Sequence, residues 1–177
     1  MTKGLKTGDV YELRCFFHVR EGKERELREV CENFLAATEK GDEFGVRTGL
    51  HDATVTMFDN DRRLLFATSF DQDWDTYIEE AIGIVGPEKW YGFLKYCEEI
   101  PEGREDNPPS ADEVKVLLEA TRETACRYIR AYPYGTVGEI RKGLRVQKAF
   151  QKVLDNPDAA EALAHPALKP LLEEAAD

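Results

Sequence analysis

Residues 62–77 read RRLLFATSFDQDWDTY, and how this stretch is interpreted decides what the rest of the chain can be. Leu64, Leu65, Phe66, Ala67 and Phe70 form an apolar run, with Asp59-Asn60-Asp61 as a turn signal before it and an acidic cluster after it. Such a run fits a strand buried on both faces, which places it in the middle of a sheet. Asp71, Asp73 and Asp75 crowd the point where Trp74, Tyr77, Ile78, Ala81 and Ile82 begin to recur at helical spacing. Carboxylates at that place cap free N–H groups and face the positive end of a helix dipole.

Working outward toward the N-terminus, residues 51–58 alternate and join the central strand through the Asp59-Asn60-Asp61 turn, which predicts an antiparallel hairpin. Before it, Gly41, Gly45 and Gly49 punctuate a loop, and Leu27, Val30, Cys31, Phe34 and Leu35 recur at helical spacing over residues 24–39. Residues 10–19 alternate, with Tyr11, Leu13, Cys15, Phe17 and Val19 on one face and Glu12, Arg14, Phe16 and His18 on the other. That strand has one greasy face and one mixed face.

Toward the C-terminus, Gly83, Gly86 and Pro87 interrupt the helix that begins near Trp74, and residues 88–98 supply a second helical piece. Residues 101–110, PEGREDNPPS, are a polar, proline-rich linker, and Ser110 with Glu113 forms a capping box for another helix. Residues 111–132 fit one long helix, or a helix to about residue 119 followed by a strand over 124–132. Aromatic and branched content and the Pro133-Tyr134-Gly135 turn favour the strand. Thr136 and Glu139 make a second capping box, for a helix carrying Val137, Ile140, Leu144, Phe150, Val153 and Leu154. Residues 156–177 suit one or two short helices.

The order is then βαβ followed by βαβ, an α+β fold with a ferredoxin-like antiparallel sheet, helices on one face and extra C-terminal helices. The domain reading is residues 1–135 as the ferredoxin-like domain and 136–177 as a helical extension. The sheet face opposite the helices is too mixed for a dry core and too aromatic for plain solvent, so it is expected to be covered by the tail or by a second copy in a homodimer.

Composition narrows the function. A chain of 177 residues with a net charge of −11 lacks the positive field that nucleic acid or an anionic membrane surface demands. It has no apolar leader and no run of about 20 apolar residues, so a cytoplasmic protein is expected. Cys15, Cys31, Cys97 and Cys126 are widely spaced, without the C-x-x-C pairing of a zinc site or redox dithiol, and read as plain thiols.

The layout, together with residues 62–71 and Asp73-Trp74-Asp75-Thr76-Tyr77, resembles the dimeric α+β barrel superfamily. Within it, the segment is similar to ferredoxin-like proteins associated with catalases and dye-decolourising peroxidases. Phe16, His18, Val19, Arg20 and residues 21–24 are similar to the strand-to-helix start of small antibiotic-biosynthesis monooxygenases. The resemblance implies a ligand chamber on the open face and keeps haem among the cofactors to be tested.

His18 is the candidate acid–base group or ligand, with Arg14 as its catalytic companion, because the two share a face about 13 Å apart as residues i and i+4 of a strand. Phe16, Glu12 and His51 complete the expected ligand-binding set. The bland alternative makes His18 a hydrogen-bonding strand-end residue, since no metal-ligand spacing accompanies it. Two functions follow: a binding protein or oxidoreductase-like enzyme for a small hydrophobic or aromatic ligand, and a non-catalytic acidic module that docks a protein partner.

Overall fold

In the computed structural model, which describes residues 5–34, 42–132 and 134–176, β1 (Lys6–Thr7), β2 (Val10–His18), β3 (Leu50–Phe58) and β4 (Arg63–Phe70) form one antiparallel sheet in the order β1-β2-β4-β3. The apolar run is therefore central, as its composition requires. Arg63 lies opposite both His18 and Phe58, and Ser69 opposite both Glu12 and Asp52. The β3–β4 turn holds Asp59, Asn60 and Asp61 at φ 54, 53 and 62, a left-handed path these short polar side chains tolerate. One register break interrupts the β3–β4 ladder, between Leu50 and Asp52.

Around the sheet stand α1 (Glu24–Phe34), α2 (Asp42–Thr48), α3 (Trp74–Val85), α4 (Pro87–Leu94) and α5 (Ala111–Ala120). Asp73 caps α3 by accepting from the N–H groups of Asp75 and Thr76. The expected capping box at Ser110 and Glu113 opens α5. One sheet face carries Leu13, Cys15, Phe17, Leu64, Phe66 and Phe70, all buried against Leu27, Ile78, Trp90, Phe93 and Leu118 from these helices. Phe66, Phe34, Trp90 and Phe93 interlock with centroids 4.1–6.4 Å apart. Phe70 stacks on Tyr77 at 3.8 Å. Burying each such side chain stabilises the fold by roughly 1.5–3 kcal/mol, which fixes the sheet's helix side and leaves its other side to be explained.

The structure corrects the sequence reading in four places. Residues 42–48 are helix α2 rather than loop; the loop's earlier part, and the predicted end of α1, lie outside the described residues. The helix beginning with Pro87 stops at Leu94, and Cys97 instead bridges Val19. Asp71 is not a cap of α3 but a partner of His51.

The fourth correction concerns residues 124–132, which are not a strand. The place a fourth strand would take beside β2 is already shared. β1 occupies it at Val10 and Tyr11, with the Glu12 N–H donating to Leu5 O. Residues 121–123 occupy it farther on: Phe16 N–H donates to Thr121 O, and Glu123 N–H to Arg14 O. The chain then leaves the edge, with Ala125 N–H donating to the Glu12 carboxylate. It continues as an extended strap over the open face, where Thr7 donates to Tyr128 O and Arg130 reaches His51. Over 127–131 the alternation records one side turned to the sheet, with Tyr128 and Arg130 half-buried, and one to solvent, not membership of a ladder.

The chain divides into two units, Met1–Gly138 and Glu139–Asp177. In the second, α6 (Val137–Leu154) continues from the end of the first, followed by α7 (Ala160–Leu163) and α8 (Lys169–Glu174), with short 3-10 turns before each of the latter two. Gly143, Val146 and Phe150 of α6 and Leu171 of α8 line an apolar groove of about 510 Å³ within this unit. No helix among the described residues is long and apolar enough to cross a membrane.

Candidate functional site

The open sheet face, about 23 Å long over the seven residue steps of β4, carries two groups of side chains that meet between Arg14 and Phe16, about 7 Å apart. At one end sit Glu12, Arg14, His51 and Asp71, closed over by the strap; at the other sit Phe16, His18, Phe58 and Arg63.

At the strapped end the charged side chains are tied to one another or to His51, with one nitrogen of Arg130 buried without a partner. The Arg14 guanidinium pairs with the Glu12 carboxylate, whose side chain is 2% exposed, and lies 6.0 Å from the Tyr128 ring. His51 is the residue left over by the register break in β3, and a bulge of this kind re-aims a side chain. Its Nε2 contacts Asp71, and Arg130 donates to its Nδ1 at 3.3 Å. A guanidinium can only donate, so Nδ1 is the acceptor and Nε2 carries the proton given to Asp71. The other Asp71 oxygen accepts from Val137 N–H at 2.7 Å. Both ring nitrogens of His51 are thus engaged within the protein, and the ring works as a latch that ties the strap to the sheet. Ser69 bonds to Asp52 on the same face. Ser69, Asp52 and His51 do not form a nucleophile relay, because the serine's partner is a carboxylate and not an imidazole.

The other end differs. His18 is 62% exposed at its side chain, and its backbone N–H and ring Nδ1 are both held by Glu99, the ring at 2.9 Å. An ionised carboxylate only accepts, so Nδ1 carries the proton. In the neutral ring Nε2 is then a lone-pair acceptor with no partner among the described residues. Directly across the β2–β4 ladder, the Arg63 guanidinium carbon lies 5.8 Å from the Phe16 ring and 5.2 Å from the Phe58 ring. The two rings meet edge-on at 6.3 Å. Arg63 Nε is buried and bonds to nothing.

Two depressions flank this group. One of about 530 Å³ is lined by Phe16, His18, Arg63, Glu99, Thr121 and Glu123 among others. The second, of about 690 Å³, shares His18 and Arg63 but is otherwise mostly charged, with Glu21, Glu24, Asp59, Arg62 and Glu98. That lining does not fit haem, whose macrocycle needs apolar walls, so no chemistry is routed through it. Among the described residues no cluster of three or more His, Cys, Asp or Glu side chains could hold a metal ion.

Of the residues singled out from the sequence, Phe16 and His18 come together, whereas Glu12, Arg14 and His51 belong to the strapped end. Sequence reasoning missed Arg63 and Glu99. Arg63 was legible in principle, since alternation along β4 puts it on the face of Leu65, Ala67 and Ser69, but its partners depend on the β2–β4 register. Glu99 carries no signal, because nothing local says that residues 96–99 run beside the end of β2.

Comparison of the chain with family models, with curated proteins and with solved structures gave no match in any of the three.

Proposed function

We propose that this protein binds a small aromatic ligand on the open sheet face at the His18 end, with Phe16 as its apolar contact and His18 Nε2 as an acceptor for a ligand hydroxyl or N–H. The observation that carries the reading is the Glu99 clamp on His18. A carboxylate that takes both the backbone N–H and the ring Nδ1 fixes tautomer and orientation, and leaves the basic nitrogen free beside a depression of about 530 Å³. A strand-end histidine with only a structural role needs no such clamp. The same geometry lets His18 accept a proton from an acidic ligand group.

The arrangement of β2, β4 and β3 with helices on one face is also what supports the ferredoxin-like reading, in which a homodimeric partner closes the open side of the site. A second function, docking of a protein partner, is favoured by one observation: Ile129, Tyr132 and Tyr134 on and after the strap are 70%, 77% and 77% exposed.

Titration of the full chain with 2-naphthol, followed by backbone amide shifts, separates the two. Ligand binding perturbs Phe16, His18, Arg63 and Glu99, and His18→Ala weakens it at least tenfold. Shifts elsewhere, or none at millimolar 2-naphthol, overturn the ligand reading and leave the docking one.

A further inference from the structure

We infer that Arg63 makes this site selective for a singly charged aromatic anion, specifically an aryl carboxylate with a hydroxyl beside the carboxyl group. The inference rests on the aromatic-ligand reading and adds the charge and shape of the ligand.

The first support is the state of Arg63 itself. Carboxylates outnumber cations 35 to 24 in this chain, and several arginines of the unit find them: Arg14 with Glu12, Arg20 with Glu102, Arg28 with Asp61, Arg104 with Glu113. Arg63 has no carboxylate partner among the described residues, and its Nε is buried without an acceptor. Leaving the buried Nε without an acceptor costs free energy, and the two terminal nitrogens, which are not buried without a partner, are the donors open to a ligand anion.

The second support is directional. Phe16 and Phe58 both lie to one side of the guanidinium, 5.8 and 5.2 Å from its carbon and 6.3 Å from each other, so its cation–π contacts are gathered on that side. What remains for bonding is its edge, a planar fork of N–H donors whose spacing matches the two oxygens of a carboxylate. A compact ammonium would not reproduce this, so lysine is not an equivalent at position 63.

The third support sets shape and charge. His18 and Arg63 are cross-strand partners, so their Cα atoms are about 4.5–5.5 Å apart. The acceptor at His18 Nε2 and the donors of Arg63 therefore address neighbouring ligand groups rather than opposite ends: a hydroxyl to the histidine, the adjacent carboxylate to the arginine. Glu123 lines the same depression and Glu99 is already committed to His18. A second ligand carboxylate would meet the like charge of Glu123, which disfavours dianions.

Calorimetric titration of the full chain compares 3-hydroxy-2-naphthoate with its neutral isostere 3-hydroxy-2-naphthamide. In the unmodified protein the acid is expected to bind at least tenfold more tightly than the amide, with an affinity that falls as salt is raised. Arg63→Gln removes that difference between acid and amide; Arg63→Lys recovers only part of it. Equal binding of acid and amide overturns the anion inference while the aromatic site stands, and a preference for the acid that survives in Arg63→Gln overturns it too. Binding of neither compound at millimolar concentration overturns both. The acid–amide comparison needs no variant, so it decides even if Arg63→Gln fails to fold.

Discussion

Replacing Gly49 with alanine tests whether the junction between α2, the β3 bulge and Asp71 is as closely built as its contacts imply. Gly49 follows the last residue of α2 at φ +64, the left-handed position that ends many helices. A Cβ there would lie 2.9 Å from Asp71 Cβ and 3.2 Å from Asp71 N. Asp71 cannot step aside, because its N–H donates to Gly49 O while its carboxylate holds His51 and Val137. The left-handed conformation costs a non-glycine residue about 1–2 kcal/mol, and forcing extra volume into a filled site costs about 1–3 kcal/mol more. Gly22 supplies the control, with φ +76 and nothing within 4 Å of a built Cβ. Urea unfolding followed by tryptophan fluorescence should show Gly22→Ala losing only the conformational part. Gly49→Ala should lose about 1–3 kcal/mol beyond it. Equal losses in the two variants would refute the reasoning, since they would mean that Asp71 and the strap it holds yield freely.

Two further outcomes follow from the titrating groups. Burial raises the Cys15 thiol to about 12 and the Cys31 thiol to about 11 and pushes Cys97 higher still, whereas Cys126 is exposed. A thiol reagent at neutral pH should therefore label Cys126 rapidly, the half-exposed Cys31 more slowly because little of it is thiolate, and Cys15 and Cys97 only as fast as the fold opens; rapid labelling of Cys15 or Cys97 would contradict the packing described. Glu113 is held at about 2 against an ordinary 4.5, first by the Arg104 guanidinium and then by the Ser110 N–H. A depressed carboxylate contributes stability that is complete above the ordinary value and is lost as pH falls through about 2. Carboxyl NMR should find the Glu113 midpoint near the lower figure and Arg104→Gln should raise it; an ordinary midpoint in the unmodified protein would count against the cap geometry.

The parts of the fold that were readable in the sequence are those decided by neighbours in the chain. Leu64, Phe66 and Phe70 declare a central strand, Asp59-Asn60-Asp61 a hairpin, Ser110 and Glu113 a helix start, because each signal needs only a few residues to act. What misled was occupancy. Residues 124–132 alternate well enough for a strand, but Lys6 and Thr7 had taken part of the edge it needed, and two residues near a terminus give no periodic signal. The site followed the same division. The face of His18 and Phe16 was legible from alternation in β2, whereas Arg14 was expected to be free because Glu12, two residues away on the same face, was not recognised as its counter-ion. Arg63 and Glu99 became visible only with the register between strands and the path of residues 96–99, both set by packing across the chain.

The bulge at His51 separates two properties that usually change together. On either side of it Leu50 still pairs with Phe70 and Asp52 with Ser69, so the ladder runs as though the histidine were not there. His51 is a one-residue insertion that the sheet does not need, and deleting it would leave the pairing of β3 intact while Asp71 and Arg130 lost the ring between them. Removal of this one residue would therefore undo the latch without re-registering the strand.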